Sequence, residues 1–377
     1  MNEPADALPS SLEERTDAML ESEGLDAFIA STRASIRHLS GVDYPGIGLV
    51  SDERSFVLWT KDGGRTLLAP GWGADHANRS GLEVSLCVHP QEPIDHLVHV
   101  LGEQGVTGGQ VGIESEFLAT AVADAVRSAY PEIELVGADK ALLRNRIVKS
   151  PDEIEKIRKA CRAAELGMIQ AIGEGRVGMT DREFAALLTE AVLENGAEAM
   201  AWIAFRWGDG EQRMSMIDRP IAEGELINIE MGCSIDGYHA DVQRMVSAGP
   251  VSDEIVDTNR RLGDVLRRTL QAMEPGMPLP EVWNRFDEDA RRERLDIWDV
   301  FFLGHGIGLD AHEDFLIWAE SDPDLIVPDQ SVFALEPAVD KPTILSLEET
   351  VLVLEDDNEI LSAQHEWPAL PQLGQKF

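Results

Sequence analysis

Short apolar runs alternate with longer amphipathic stretches over the first 140 residues of the chain. The amphipathic stretch LEERTDAMLESEG, which starts at residue 12, predicts a helix. Short apolar runs closed by Gly, Asp or Pro predict strands between such stretches. The predicted elements continue as DAFIAS, GIGLVS, SFVLWT and RTLLAP, then IDHLVHVLGEQG, QVGIES, AVADAVRSAY and IELVGAD. This alternation predicts an α/β domain.

The pattern of hydrophobic and polar positions changes near residue 140, and a long helix with a strong start signal follows. Ser150 is suited to cap the helix, Pro151 fits its first position, and Glu153 completes a capping box. We place a domain boundary just before this cap. The sequence thus predicts an amino-terminal domain over residues 1–148 and a carboxy-terminal domain over residues 149–377.

The second domain begins with two helices and then changes to predicted strands and further helices. Thr180 and Glu183 repeat the capping box before FAALLTEAVLEN, which ends at Gly196. Further helices are predicted near residues 253–273 and 279–294. The remaining predicted strands read LINIEM, YHADVQRMVS, VFFLGHGIGL, SVFALEPAV and LSLEETVLVLE.

The chain is strongly acidic, with 69 Asp and Glu against 32 Lys and Arg and a formal net charge of -37. The excess is spread along the whole chain, which is typical of the solvated surface of halophilic proteins. Nucleic acids and anionic membranes both require clustered Lys and Arg. The composition therefore argues against both partners.

Three widely spaced cysteines, Cys87, Cys161 and Cys233, match no metal-finger or redox spacing and are expected to be free thiols. The first residues, MNEPADALPSSLEERTD, are acidic where a secretory signal would be basic and then apolar. No apolar run approaches membrane-spanning length. We expect a soluble cytoplasmic protein.

Two acids lie on either side of a predicted turn in NIEMGCSIDGYHAD, residues 228–241. With residues 234–237 as the turn, outward pairing brings Glu230 directly opposite Asp241. Like charges opposed in this way destabilise a strand pair, because their β-carbons lie roughly 5 Å apart. We expect a cation between them; the alternative is that one acid is solvated or paired with Arg244.

A second pair of acids, Glu336 in FALEPAV and Glu348 in LSLEETV, lies on predicted strands that can fold back on each other. Between the two pairs, GHGIGLDAHED carries His305 and His312. Four carboxylates with one imidazole suit Mn²⁺, Co²⁺ or Fe²⁺ better than a thiolate zinc site, with Zn²⁺ as a further option. The four acids exceed the needs of one ion, so the sequence predicts two ions roughly 3.5–4 Å apart.

The order of these residues resembles the metallopeptidase family M24 of creatinase, prolidase and aminopeptidase P, the pita-bread enzymes. The resemblance consists of an acid, a second acid eleven residues later, GHGIG with a following His, then EP and LEET. It also includes GLDAFIASTRASIRHLSGVDYPG and RIVKSPDEIEKIRKA, and so covers essentially the whole chain. It implies a creatinase-like amino-terminal α/β domain, a pita-bread catalytic domain and a homodimer.

The resemblance also implies a role for each of the acids and histidines. Asp241 and Glu348 would bridge two ions, and Glu336 would be both a ligand and the general base for the attacking water. His312 would stabilise the oxyanion of the substrate carbonyl. The family pattern IEDTV puts the ligand first, which favours Glu348 over its neighbour Glu349. The implied metal ligands are Glu230, Asp241, His305, Glu336 and Glu348.

The expected activity is hydrolysis of an Xaa-Pro-type peptide or a similar small amide, but one residue departs from the family pattern. The family places Asp at the first ligand, whereas IEMG of this chain places Glu230, longer by one bond of about 1.5 Å. Metal-independent relatives of the ectoine-hydrolase type carry Glu here and a YHA segment nearby, as in GYHAD with His239. The alternative is thus metal-independent carbon–nitrogen hydrolysis of a small cyclic or guanidino compound, with Glu230 as nucleophile or base. A binding module without activity is disfavoured, because all five ligand positions are retained.

A second departure concerns substrate binding upstream of the hairpin. Peptidases of the family place a His there, but AFRWGDGEQRMSMIDRPIAEGE contains none. Gln212 or Arg213 is a candidate replacement, and Trp202 and Trp207 are candidates to line an apolar pocket for a proline-like ring. With His312 and His239, the predicted substrate-binding residues are therefore Arg213 and Trp207.

Overall fold

The computed structural model describes residues 11–43, 54–87, 92–207, 212–298 and 302–377. The predicted strand GIGLVS lies outside these ranges. The chain divides into two compact units, Met1–Arg146 and Ile147–Phe377. The domain boundary that the sequence predicts, after residue 148, stays a prediction.

The amino-terminal unit is built on a mixed sheet of six described strands in the order β4-β3-β2-β1-β5-β6. The strands are β1 (Ala27–Ala30), β2 (Phe56–Thr60), β3 (Arg65–Pro70), β4 (Glu83–Cys87), β5 (Gly108–Ile113) and β6 (Glu132–Gly137). The helices are α1 (Leu12–Glu23), α2 (Arg33–Ser40), α3 (Ala74–Ala77), α4 (Pro93–Glu103), α5 (Thr120–Ala129) and α6 (Asp139–Ile147), the last of which reaches the next unit.

Both faces of this sheet are buried, which explains why its strands read as continuous apolar runs. Phe28 and Ala30 of β1 pack in one apolar cluster with side chains of α1 and α2. Ala27 and Ile29 pack in another cluster with side chains of α4 and α5. Successive side chains of a strand point to opposite faces, so a strand covered on both sides needs apolar residues throughout.

Two capped helices open the carboxy-terminal unit, as predicted. The Ser150 side chain accepts from the Glu153 amide, and the Glu153 carboxylate accepts from the Ser150 amide. Thr180 and Glu183 form the same capping box. The helices are α7 (Pro151–Glu174), α8 (Asp181–Glu194), α9 (Asp253–Gln271) and α10 (Leu279–Arg292). The last two confirm the helices predicted near residues 253–273 and 279–294.

The described strands of this unit form three sheets. One has the order β10-β9-β7-β8, the second has the order β12-β11-β13-β16-β17, and β14 pairs with β15. The strands are β7 (Ala199–Trp207), β8 (Gln212–Arg213), β9 (Leu226–Ile235), β10 (Tyr238–Ser247), β11 (Gly304–Gly306), β12 (Glu313–Ile317), β13 (Ser331–Leu335), β14 (Ala338–Val339), β15 (Leu345–Ser346), β16 (Glu349–Val353) and β17 (Glu359–Ile360). A backbone bridge between Gln243 and Glu348 joins the first two sheets.

The β9–β10 hairpin corrects the predicted register by two residues. Ile235 pairs with Tyr238, so the turn is Asp236-Gly237 alone, with φ of 49° and 80°. Such a two-residue turn needs positive φ at both positions, which Asp-Gly supplies. Glu230 is therefore opposite Gln243 rather than Asp241. A shift of two residues leaves every side chain on the same face of the sheet, so the two acids are diagonal neighbours on one face.

The apolar core of this unit lies where α9 and α10 pack against the second sheet. Leu262 and Leu266 of α9, Phe286 of α10, and Phe333 and Val351 of the sheet are buried in one cluster. This packing fixes the strands that carry most of the predicted site. None of the described helices is both long and apolar enough to span a membrane.

Candidate metal centre

His305 lies at the centre of the predicted ligands and is completely buried. Its Nδ1 is 3.0 Å from the Gly306 carbonyl oxygen, and because a carbonyl only accepts, Nδ1 carries the proton. Nε2 therefore presents a lone pair. It lies 4.0 Å from Asp241 Oδ2, 3.7 Å from Glu336 Oε1 and 3.8 Å from Glu348 Oε1. The arrangement suits a cation held between the imidazole and the carboxylates.

Strand pairing explains how residues distant in sequence meet here. Leu335 of β13 pairs with Glu349 of β16, so Glu336 and Glu348 lie side by side just beyond the ladder. His305 of β11 pairs with Ala334. An added β-carbon at Gly304 would lie 2.3 Å from the Ala334 carbonyl oxygen, so only glycine permits this close approach of β11.

Asp241 comes from the other sheet and is held by the bridge between the sheets. The Glu348 amide donates to the Gln243 carbonyl at 3.1 Å, and the Thr350 hydroxyl donates to the Asp241 carbonyl at 3.1 Å. Asp241 and Glu348 are thereby fixed close together, and both are almost fully buried. Sheet contacts, rather than local sequence, bring these two carboxylates into one site.

The carboxylates repel one another strongly. Burial, and then the charge of Glu230, raise the pKa of Asp241 well above its ordinary value. Burial, and then the charge of Asp241, do the same to the pKa of Glu348. Burial raises the pKa of Glu336 to about 8, whereas burial lowers the pKa of His305 to about 3 and keeps it neutral. Bound cations would relieve this unfavourable crowding.

The unsatisfied atoms of the site also fit a metal. Among the buried side-chain atoms that the structure describes, Asp241 Oδ1, His305 Nε2 and Glu348 Oε1 have no hydrogen-bond partner. Buried polar atoms are otherwise nearly always paired. Two groups have ligand atoms within 4.8 Å of one another: Asp241, His305 and His312, and His305, Glu336 and Glu348. Oxygen and imidazole donors of this kind fit a divalent first-row metal.

Glu230, the residue that departs from the family pattern, lies in the same cavity but in neither of these groups. Its Oε2 accepts from Gln243 Nε2 at 3.0 Å. The Gln243 side-chain oxygen in turn accepts from the Ser346 hydroxyl. Glu230 is thus held in the cavity by a hydrogen bond from its strand partner.

Arg244, which the sequence offered as a partner for a hairpin acid, forms an ion pair with Glu349, the neighbour of the predicted ligand Glu348. Arg244 Nη2 is 3.0 and 2.9 Å from the two Glu349 carboxylate oxygens. Arg244 therefore pairs with Glu349 rather than with either acid of the hairpin. Because Glu349 follows Glu348 on a strand, the two side chains point to opposite faces.

His312 lies over the buried histidine. The two imidazole rings are stacked with centroids 3.8 Å apart and an angle of 12° between them. Phe302 contacts both rings edge-on, at 5.9 Å from His305 and 5.7 Å from His312. His312 itself is exposed, so it can meet a ligand in the cavity.

A cavity of about 280 Å³ opens beside these residues, near the lower end of the usual size for ligand sites. Both acidic and aromatic residues line it. Its lining comprises Arg206, Glu230, Asp241, Trp283, Phe286, Ile297, Trp298, Phe302, Leu303, His312, Glu336, Pro337, Ala338 and Ser346. This combination suits a small ligand with an apolar part and a polar part.

The other predicted substrate-binding residues lie elsewhere or outside the described atoms. His239 packs on Trp202, with ring centroids 6.3 Å apart, and its amide donates to the Gly308 carbonyl. Trp207 is buried under the Arg219 guanidinium and lines a different cavity. Arg213 lies in β8, but its side chain is outside the described part of the chain. Their substrate-binding roles stay predictions.

Arg206 is the charged residue of the cavity that sequence reasoning missed. It lies on β7 and pairs with Asn228 of β9, two residues along the ladder from the Ala204–Glu230 pair. Side chains two residues apart on a strand point to the same face, so Arg206 and Glu230 lie on one face of the sheet. Its guanidinium opposes the increase in the pKa of Glu336 and lies 5.5 Å from the centre of the Trp298 ring. A charged residue within the apolar strand run AFRW was the available signal.

Four ligand-type side chains, those of Asp241, His305, Glu336 and Glu348, lie together beside a small cavity and form a candidate metal site. Residues 155–355 match the metallopeptidase family M24, and residues 14–148 match the creatinase/prolidase N-terminal domain. Because the first match covers more than half of the chain, the protein belongs to metallopeptidase family M24. The predicted family and hydrolase class are confirmed.

Individual relatives agree with this assignment. An Xaa-Pro dipeptidase from Pyrococcus furiosus is 28% identical over 218 residues, which are 56% of this chain and 62% of that protein. A creatinase from a Bacillus species is 25% identical over 253 residues, 64% of this chain and 61% of that protein. The chain thus matches less than two thirds of either relative.

A solved structure extends the similarity over both units. The X-Pro aminopeptidase from Thermotoga maritima is 26% identical, with a TM-score of 0.80, and the match covers 96% of this chain and 99% of that one. The predicted fold class, a creatinase-like α/β domain followed by a pita-bread catalytic domain, is confirmed.

Proposed function

We propose that this protein hydrolyses Xaa-Pro dipeptides, or closely similar small amides, at the cavity beside His305. The observation that carries the proposal is the convergence of three buried atoms without partners, on Asp241, His305 and Glu348, next to a cavity of about 280 Å³. Such atoms are costly unless a cation or ligand satisfies them. The similarity to an Xaa-Pro dipeptidase and an X-Pro aminopeptidase supports the substrate class.

The proposed cofactor is a pair of divalent ions, of Mn²⁺, Co²⁺ or Fe²⁺, with Zn²⁺ as a further option. The five residues predicted from the sequence, Glu230, Asp241, His305, Glu336 and Glu348, would hold these ions. Four ionised carboxylates carry the charge that two such ions would neutralise. When bound, the ions supply Lewis-acid activation of water and of the substrate carbonyl.

The protein's own residues have distinct proposed roles in the reaction. Glu336 lines the cavity and has a partly exposed side chain, so its carboxylate is placed to accept a proton from water there. His312, exposed above His305, is placed to donate a hydrogen bond to the carbonyl oxygen of the scissile bond. Glu336 would thus act on the attacking water, and His312 would act on the carbonyl group that the water attacks.

Arg206 and the aromatic residues of the cavity support an Xaa-Pro dipeptide as the proposed substrate. Trp298 and Phe302, with Trp283 and Phe286, offer an apolar surface for the proline ring. The Arg206 guanidinium can form paired hydrogen bonds to the free carboxylate that follows the proline. We propose that this residue takes the substrate-binding place that the sequence left without a His.

The main experiment combines metal analysis with hydrolysis of Ala-Pro by purified protein, with and without chelator. We expect about two ions per chain and activity that disappears with chelator and returns with Mn²⁺ or Co²⁺. Chelator-resistant turnover would sink the proposal. Turnover of a small cyclic amide or of a guanidino compound under chelator, lost in Glu230→Gln, would favour the metal-independent alternative, which the 25% identity to creatinase keeps in view.

Two substitutions on one hairpin provide the matched test of the ligands. Asp241→Asn should remove metal binding and reduce activity by at least a thousandfold, because it removes a buried ligand that two ions would share. Asp236→Asn, at the turn, is the control: asparagine also accepts positive φ, so metal content and activity should be unchanged. Full metal occupancy in Asp241→Asn would show that the ligand assignment is wrong.

The proposed setting of the enzyme is a salt-rich reducing cytoplasm, in which it works as a homodimer on small peptides. The formal net charge of -37 supports high-salt solubility and argues against nucleic-acid or membrane partners. No disulfide joins the three cysteines, which all lie in the described part of the chain and are buried, and this supports a reducing compartment. The homodimer rests on the family resemblance.

A further inference from the structure

Lys149 is a lysine inside the carboxy-terminal unit, with only 2% of its surface exposed. Its Nζ donates to Glu313 Oε2 at 2.7 Å and to the Ile147 carbonyl at 3.2 Å. Glu313 is 3% exposed. The proposed reaction uses neither residue, although Lys149 belongs to RIVKSPDEIEKIRKA, a segment on which the family resemblance rests.

Stability alone is a poor explanation of this buried pair. Desolvation of two charges offsets most of their attraction, and well-packed apolar residues often replace such pairs without loss. Lysine is almost never fully buried unless it has a specific partner. The place of the pair in the molecule is therefore more informative than its strength.

Glu313 fixes the loop that joins the two histidines. One of its carboxylate oxygens is bound by Lys149, and the other accepts from the Leu309 amide at 3.2 Å. Gly308 packs directly on both side chains: an added β-carbon would lie 2.6 Å from Glu313 Oε1 and 2.9 Å from Lys149 Cε. The carboxylate thus ties the start of β12 to the turn at residues 308–309.

The same loop is fixed from its other side by the β9–β10 hairpin. The His239 amide donates to the Gly308 carbonyl at 2.8 Å, and His239 Nδ1 lies 3.2 Å from the same oxygen. Gly306 pairs with Glu313 across the β11–β12 ladder. Residues 308 and 313 are therefore both anchored, and His312 precedes the second anchor directly.

We propose that Lys149 and Glu313 are positioning residues for His312, which they hold stacked on His305 at the mouth of the cavity. His312 is exposed, and its ring packs on the His305 ring, with centroids 3.8 Å apart, and against the Phe302 ring, with centroids 5.7 Å apart. The direction of its imidazole therefore depends on the backbone that Glu313 anchors. The inference rests on the proposed function through the role given to His312.

The test is a neutral replacement of the pair, Lys149→Met with Glu313→Gln, in the metal-loaded full-length protein. The two changes remove both charges together, so no uncompensated charge remains buried. We expect kcat for Ala-Pro to fall by roughly tenfold to a hundredfold, as for other residues that orient a reacting group. Metal content, and KM within about twofold, should stay at their wild-type values. Glu313→Asp, which keeps the charge opposite Lys149 but shortens the side chain, should show the same direction if the double variant fails to fold.

A merely structural role is separated by repeating the replacement in a His312→Ala background. A pair that acts through His312 should cause no further loss of kcat there, since the group it positions is gone. Arg158→Met, which breaks the Arg158–Glu359 ion pair of the same unit, is the control and should leave kcat unchanged in both backgrounds.

Three results would overturn the inference. Wild-type kcat in the neutral replacement rejects it outright. An equal further loss in the His312→Ala background rejects it while leaving the proposed function standing. Wild-type kcat in His312→Ala itself rejects the role of His312, and the inference with it, although chelator-sensitive hydrolysis would still support the proposed peptidase.

Discussion

Arg206 brings a positive charge to the rim of an acidic site. It is 9% exposed and shares the cavity with Glu230 and Glu336. Burial and then Glu230 raise the pKa of Glu336, and Arg206 acts in the opposite sense. An Xaa-Pro dipeptide offers a carboxylate directly after the proline that this guanidinium can bind, whereas a longer peptide has an amide bond at that position and a peptide amide has no carboxylate there.

We therefore expect Arg206→Met to weaken the use of dipeptides selectively. Loss of charge-assisted hydrogen bonds to a carboxylate costs about 1.5–3 kcal/mol, so kcat/KM for Ala-Pro should fall roughly tenfold to a hundredfold. The amide Ala-Pro-NH2 should be affected much less. Steady-state kinetics on both substrates measure this difference.

Arg213→Met is the companion variant, because the sequence pointed to that residue instead. A selective loss in Arg213→Met with none in Arg206→Met would support the sequence-based prediction and reject the proposed role of Arg206. Equal loss on both substrates in Arg206→Met would indicate a general disturbance of the site.

At the scale of elements, the β7–β9–β10 sheet sets the positions of Glu230, Asp241 and Arg206. Gly232 of β9 pairs with Trp202 on one side and Asp241 on the other. The indole ring of Trp202 covers Gly232, and an added β-carbon would lie 2.2 Å from that ring. The missing side chain of the glycine thus allows an aromatic residue to pack beside a proposed metal ligand.

Gly232→Ala should consequently destabilise the protein and disturb the site. Overpacking of this kind costs about 1–3 kcal/mol, which urea unfolding can measure. In a Trp202→Ala background the same change should cost much less, because the ring that it meets has been removed. An equal cost in both backgrounds would contradict the proposed contact.

At the scale of the whole molecule, the acidic surface opposes folding through self-repulsion. Many acids form exposed ion pairs, such as Arg182 with Asp218 and Arg260 with Asp257, but the net charge stays at -37. Exposed pairs contribute little each. Repulsion between the remaining charges is screened by salt, whose Debye length falls from about 10 Å at 0.1 M to about 3 Å at 1 M.

Raising KCl from 0.1 M to 1 M and above should therefore increase Tm. Each kcal/mol gained corresponds to about 2–4 °C for a chain or domain of 150–250 residues. Thermal unfolding followed by circular dichroism measures the shift, with sucrose as a non-ionic control. A Tm that is constant or falls with KCl would reject the proposed adaptation to salt.

Local patterns were sufficient for much of the fold. Ser150 with Glu153 and Thr180 with Glu183 predicted their helix starts because a capping box satisfies the helix's own amide groups and needs no distant partner. The facing of Glu230 and Asp241 also followed from the period of two along a strand. The register did not, because placing the turn at Asp236-Gly237 depends on positive φ at two residues rather than on the apolar pattern.

By itself, the sequence determined the helices with their caps, the alternating faces of the strands and the residue types of a metal site. Tertiary structure alone decided which carboxylates meet. Glu348 reaches Asp241 through a bridge between two sheets, and Arg206 enters the cavity from β7, a strand that the sequence did not predict. Lys149 and Glu313, which are 164 residues apart, find each other inside the same unit. Such long-range contacts depend on how sheets and loops pack, and no local pattern of the chain encodes that packing.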